Sequence, residues 1–206
     1  MGSNPAYAAV WEKRSGRDER MITVGEPWSS YQQHFEQYYY AGTCGGPQYV
    51  IDIVDGNDHG GYISVWRIGK DLNQRSYHHL TEDRLIKKFH LLKDDYKLAY
   101  ISGYKKHTND LRFAVIFNSN PKGDPWRFHY GMTKEDLISK VGTYTQEGLQ
   151  IVHINSYKSG ENIHYAAIWN NAQNANLEIE LSPTLFNHSI ISNNASGKSL
   201  KQITGL

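Results

Sequence analysis

Cysteine is almost absent: Cys44 is the only one in 206 residues, which excludes an internal disulfide framework and any paired-cysteine metal or redox motif. No run of eighteen apolar residues occurs, so no membrane-spanning helix is expected. Charge of one sign is also missing. Twenty-two Lys and Arg face twenty-one Asp and Glu, for a net charge of +1, and neither duplex nucleic acid nor an anionic membrane is expected as a partner. The short runs Lys87-Lys88 and Lys105-Lys106-His107 read as solvated surface. GxGxxG, the P-loop and HExxH are absent; Gly197-Lys198-Ser199 has Ser192 where the first P-loop glycine should stand. No cofactor is expected. The opening Met1-Gly-Ser-Asn-Pro5 carries neither a basic nor an apolar leader segment. Two expectations remain for it, an artificial start or an exported chain trimmed of its leader.

What is abundant is aromatic: 5 Trp, 15 Tyr and 6 Phe. They are organised. One short pattern occurs four times, as Tyr7-Ala-Ala-Val-Trp11, Tyr62-Ile-Ser-Val-Trp66, Phe113-Ala-Val-Ile-Phe117 and Tyr165-Ala-Ala-Ile-Trp169, a period of about 50 residues. Aromatics at both ends and β-branched or small residues between them make a period-2 strand, here strand a. A second pattern, strand b, precedes three of these: Val50–Val54, Leu98–Tyr104 and Ile151–Tyr157. Gly-, Asn- and Lys-rich stretches join the pairs as hairpin loops do.

Each repeat also carries a helix signal. Thr81 and Thr133 are placed as N-caps, and Thr133-Lys-Glu-Asp136 approximates a capping box. Leu85, Phe89, Leu92 and Leu137, Val141, Tyr144 fall at i, i+4, i+7, one apolar stripe each. The first repeat offers Pro27 and then Tyr31, Phe35 and Tyr38; the fourth offers Ser182-Pro183, then Phe186 and Ile190. Gly148 and Gly197 sit where left-handed C-caps are wanted.

The expected unit is strand a, a loop, a helix and strand b, with repeats at roughly 6–60, 61–111, 112–163 and 164–206 of one domain. The chain opens on an unpartnered strand a and closes on Ser199–Leu206, which reads as an unpartnered strand b. Pairing these two removes both bare edges. The expected fold is therefore α+β, four strand–helix–strand repeats closed into a propeller-like four-fold ring.

The Tyr-Ala-Ala-x-Trp strand, Gly131-Met-Thr133 before a helix and the strand ending Ile101-Ser-Gly-Tyr104 resemble a tandem repeat of bacterial proteins. Similar repeats form the N-terminal domain of fungal polyglycine hydrolases. The likeness covers nearly the whole chain and is strongest over residues 60–170. In those enzymes the chemistry belongs to a separate β-lactamase-like domain, for which this chain has no room. The resemblance implies a domain that binds or positions, and transfers no catalytic residue.

Lining up the b strands yields two polar columns: Val50, Tyr100, His153, Gln202, and Asp52, Ser102, Asn155, Thr204. In a closed ring these groups converge on one opening, flanked by Trp11, Trp66 and Trp169. Apolar walls with a few convergent polar groups make a ligand pocket, and Trp and Tyr faces suit sugars and extended peptides. The leading expectation is a monomeric, non-catalytic module binding a glycan, peptide or small molecule through Asp52, Tyr100, Ser102, His153, Asn155, Gln202, Thr204 and the three tryptophans. The bland alternative gives the columns to strand–strand bonding and the tryptophans to the core. An enzymatic alternative makes His153 a general base beside Tyr100 or Asp52. A third makes the chain an assembly protein.

Other motifs carry less. His78, His79 and His129 precede helices and are the alternative metal ligands, but adjacent histidines on a loop point apart. Asp55–Gly60 begins like a calcium loop, yet Trp66 occupies the place of the bidentate carboxylate. Ser102-Gly-Tyr-Lys105 ends a strand instead of opening a helix, so it does not match the SxxK of β-lactamase-like enzymes. Cys44 has His34 upstream and no evident third partner for thiol chemistry. Asn187-His-Ser and Asn194-Ala-Ser fit the glycosylation triplet, a pattern common by chance.

Overall fold

The structure, a computed structural model, describes residues 20–40, 49–56, 61–69, 73–106 and 110–171. Three units of the same plan follow one another there: β1 (Arg20–Pro27), α1 (Trp28–Tyr40), β2 (Tyr49–Gly56), β3 (Gly61–Ile68); β4 (Gln74–Leu80), α2 (Glu82–Leu92), β5 (Tyr96–Lys106), β6 (Asp110–Ser119); β7 (Trp126–Met132), α3 (Lys134–Gln146), β8 (Gln150–Ser159), β9 (Asn162–Asn170). Each unit is one antiparallel three-stranded sheet, in the orders β1-β3-β2, β4-β6-β5 and β7-β9-β8. The α+β class stands, and three of the four expected helices fall among the described residues.

The expected unit lacked one strand. β1, β4 and β7 precede the helices, where sequence reading placed a loop. Alternating apolar positions are present there, in Trp126-Arg-Phe-His-Tyr130, but Arg and His fill the gaps and the ladder is interrupted. Its register slips between Thr23 and Glu26, Tyr77 and Leu80, and His129 and Met132. The slip passes through left-handed backbone at His79 (φ 58°) and Gly131 (φ 67°).

Strand a is the middle strand of each sheet, so both of its edges are paired; in the second and third sheets both faces are covered too and it reads as a nearly continuous buried run, whereas β3 alternates buried and half-buried residues. Phe113 through Phe117 are all buried, as are Ala166 through Trp169. The helices cover one face as predicted. The Thr81 hydroxyl accepts from Arg84 N, Thr133 and Asp136 form the reciprocal box, and Leu85 and Leu137 are fully buried. Gly148 has the positive φ of a C-cap. Tyr7–Trp11, Ser182-Pro183, Phe186, Ile190, Gly197 and Ser199–Leu206 lie outside the described residues, as do Cys44 and both glycosylation triplets. No described helix is long and apolar enough to cross a membrane.

Candidate functional site

The sheets meet through their b strands: β5 lies against β2 on one side and β8 on the other. The seams are where the predicted polar residues come together.

At the seam between the second and third sheets, Nε2 of His153 bonds the Ile101 carbonyl at 2.7 Å, and Oδ1 of Asn155 accepts from the Gly103 N–H at 2.9 Å. Both side chains are buried, and the Tyr100 ring lies on His153 at 4.4 Å. Burial pushes the His153 imidazole from 6.5 down to about 4, against a smaller opposing effect of the Ile101 carbonyl. The ring is therefore neutral at pH 7, and the short bond to a carbonyl makes Nε2 its donor. A histidine held this way has neither an open acceptor at that nitrogen nor a pKa suited to general base work near neutrality.

Two residues beyond Asn155, a tyrosine locks the same seam. The Tyr157 ring packs over Gly103 and edge-on to Phe113 at 5.4 Å, and its hydroxyl accepts from Gly131 N at 2.9 Å. The preceding seam repeats this. Tyr104 covers Gly56, its hydroxyl meets that of Tyr62 at 2.9 Å, and it takes the N–H of His79 at 3.1 Å. Residues 79 and 131 are the left-handed positions before the helices. Their backbone N–H groups donate to the two tyrosine hydroxyls. Burial raises the phenols of Tyr62 and Tyr157, the latter to about 12.

The first seam has a further tie that sequence reading missed. Gln74 bonds both the N–H (3.0 Å) and the C=O (2.9 Å) of Ile51, and also Asn118 at 3.0 Å. A polar residue at the start of an unrecognised strand gave no usable signal.

The columns need one correction. All three b strands carry a bulge, between Ile51 and Ile53, Leu98 and Tyr100, and Ile151 and His153. Asp52 is the bulged residue and corresponds to Ala99 and Val152. The first-sheet partners of the polar columns are Ile53 and Asp55, three residues beyond Val50 and Asp52. The side chain of Asp52 lies outside the described set, as do Gln202, Thr204 and Trp11. Ser102 is fully buried at the register of Asn155, and Tyr100 is half-buried. Trp66 and Trp169 are fully enclosed in the cores of the first and third sheets. The Trp66 indole donates to the Ser64 hydroxyl at 2.8 Å, whereas Trp169, with Ala167 in the place of Ser64, has a buried N–H without a partner.

The metal candidates are dispersed. His78 lies edge-on to Tyr31 and Tyr62, at 4.7 and 5.3 Å, and burial and then its neighbour His79 lower it to about 4. His129 bonds the Tyr144 hydroxyl at 2.5 Å in the third sheet and is lowered by burial first. Among the described residues no three His, Cys, Asp or Glu side chains are gathered as a metal site.

Strand bulges, seam tyrosines and left-handed caps recur with the sheets, so the arrangement belongs to the repeat itself. No curated protein matches the chain. The family described as polyglycine hydrolase-like structural repeat does match, twice in tandem, over residues 73–120 and 123–172. These spans coincide with the second and third sheets, and the tandem-repeat domain here is therefore similar to that structural repeat.

Proposed function

We propose that the chain closes as a ring of four such units and acts as a monomeric binding module, with a glycan, peptide or small molecule at its centre. The observation that supports it is the seam chemistry. His153 and Asn155 of β8 reach Ile101 C=O and Gly103 N–H of β5, and β8 carries the matching groups, Ile154 C=O and Ser156 N–H, at the same registers. Gln202 and Thr204 occupy the sequence positions of His153 and Asn155, and in a fourth unit they serve Ile154 and Ser156. Strand a is the middle strand of every described sheet. In this reading Tyr7–Trp11 is the middle strand of the fourth, held between two strands from the C-terminal end. Both chain ends are then paired and no apolar edge is left.

Within such a ring the polar columns hold the seams, and the half-buried Tyr100 faces the ligand, since an aromatic face with a hydroxyl buries area at small entropic cost. The test is a glycan and peptide array with the natural chain, Tyr100→Ala and Asn155→Ala. Tyr100→Ala should lose a retained ligand, while Asn155→Ala should melt lower. Absence of any retained ligand, or unchanged retention by Tyr100→Ala, removes the binding reading.

A further inference from the structure

The first sheet breaks the repeat plan at one point. Glu26 stands opposite Tyr62, the register that Leu80 holds opposite Phe113 and Met132 opposite Tyr165. The two sister residues are buried apolar side chains; the carboxylate in their place is also buried, at 8 % exposure. Burying a carboxylate is costly unless it is paired, and a local rule broken in one repeat alone points to a functional position. Its partner departs from the plan too. The seventh residue of α1 is His34, where α2 has Lys88 and α3 has Lys140.

Nδ1 of His34 lies against Oε1 of Glu26. Neither carboxylate oxygen nor Nδ1 completes a hydrogen bond although all three are buried, and burial above all, with this carboxylate adding to it, raises the neighbouring Tyr31 phenol. The His34 side chain is 41 % exposed while its Nδ1 is shielded from solvent. The exposed edge of the ring is therefore the one that carries Nε2. In the tautomer that carries its proton on Nδ1, toward the carboxylate, the ring's lone pair lies on Nε2, facing out.

We propose that Glu26 and His34 form a proton-transfer site on the first repeat. Nε2 takes the proton of a hydroxyl, a thiol or a water presented at the surface of α1, and Glu26 fixes the ring and accepts the Nδ1 proton. The site is separate from the central mouth, and neither sister repeat has it. It also differs from His153, the general base of the enzymatic alternative, whose Nε2 is taken up by the Ile101 carbonyl.

Diethylpyrocarbonate on the full chain, read by peptide mass spectrometry, tests it. Nε2 attacks one carbonyl carbon, the C–O bond to the ethyl carbonate breaks, and the Nδ1 proton passes to Glu26. The ethyl carbonate anion takes up a proton, returned by Glu26 through solvent, and decomposes to carbon dioxide and ethanol, which leaves the carboxylate ionised again. The exposed His90 on α2 is the internal reference. His34 should acylate about tenfold faster than His90, and Glu26→Gln should bring it down to the rate of His90. Where Glu26→Gln does not fold by circular dichroism, Glu26→Leu, the side chain of the second repeat, takes its place. Equal rates for His34 and His90 in the natural chain overturn the proposal. So does a fast His34 that persists without the carboxylate.

Discussion

Replacing His153 by Gln separates the two properties of the seam histidine. Glutamine retains an amide N–H for the Ile101 carbonyl, which His153 reaches at 2.7 Å, but it does not titrate. In the folded chain the imidazole is lowered from 6.5 to about 4. The unfolded chain thus binds more protons between these two values, and stability rises with pH in that window. The contribution is fully present above about pH 6.5 and is lost as pH falls towards 4. At about 1.4 kcal/mol per unit the loss is roughly 3 kcal/mol. The assay is urea unfolding followed by tryptophan fluorescence at pH 7.0, 6.0, 5.0 and 4.5, on the natural chain and His153→Gln. His78, also lowered to about 4, titrates in both proteins and cancels in the difference. The natural chain should lose most of about 3 kcal/mol more than the variant over this range. Parallel pH profiles would show that His153 is not buried as a neutral seam group.

Two further substitutions probe the same seams. Gly103→Ala would set a Cβ 2.7 Å from the Tyr157 ring and 3.2 Å from Phe113; overpacking of this kind should cost about 1–3 kcal/mol, read as a lower urea midpoint with an unchanged slope. His79 holds φ at 58° where the third sheet has Gly131 at 67°. His79→Gly should therefore raise stability by about 1 kcal/mol in the same assay, and a loss would mean that the His79 side chain contributes more than its backbone strain costs.

The aromatic strands and helices were legible because each follows a simple rule. Tyr62–Trp66, Phe113–Phe117 and Tyr165–Trp169 are the middle strands of their sheets, and Thr81 and Thr133 cap their helices as their spacing implies. The motifs that carry the family resemblance also acquire reasons. Gly131-Met-Thr133 is a left-handed turn, a buried side chain and a cap in succession, and Gly103 admits the ring of Tyr157. The strands before the helices were missed because their alternation, as in Trp126, Phe128 and Tyr130, is short and the register slips before the helix begins. A bulge likewise displaced Asp52 from the column it was given. The bonding of His153 and Asn155 across a seam was legible only as the bland alternative for the polar columns: their partners are backbone groups 52 residues away, and backbone groups leave no trace in side-chain sequence. Nothing in the local sequence marks Glu26; only the register places it opposite Tyr62.

Joining the two ends covalently tests closure most directly. By the pairing of Asn155 with Ala166, Thr204 should stand opposite Ala8 in the fourth sheet, at the Cα separation of about 5.5 Å that a disulfide bridges. Ala8→Cys with Thr204→Cys, in a Cys44→Ser background, should oxidise to an intrachain disulfide in monomeric protein, seen by intact mass and faster non-reducing migration. Free thiols, or disulfides only between chains, would place the two strands apart and contradict the ring.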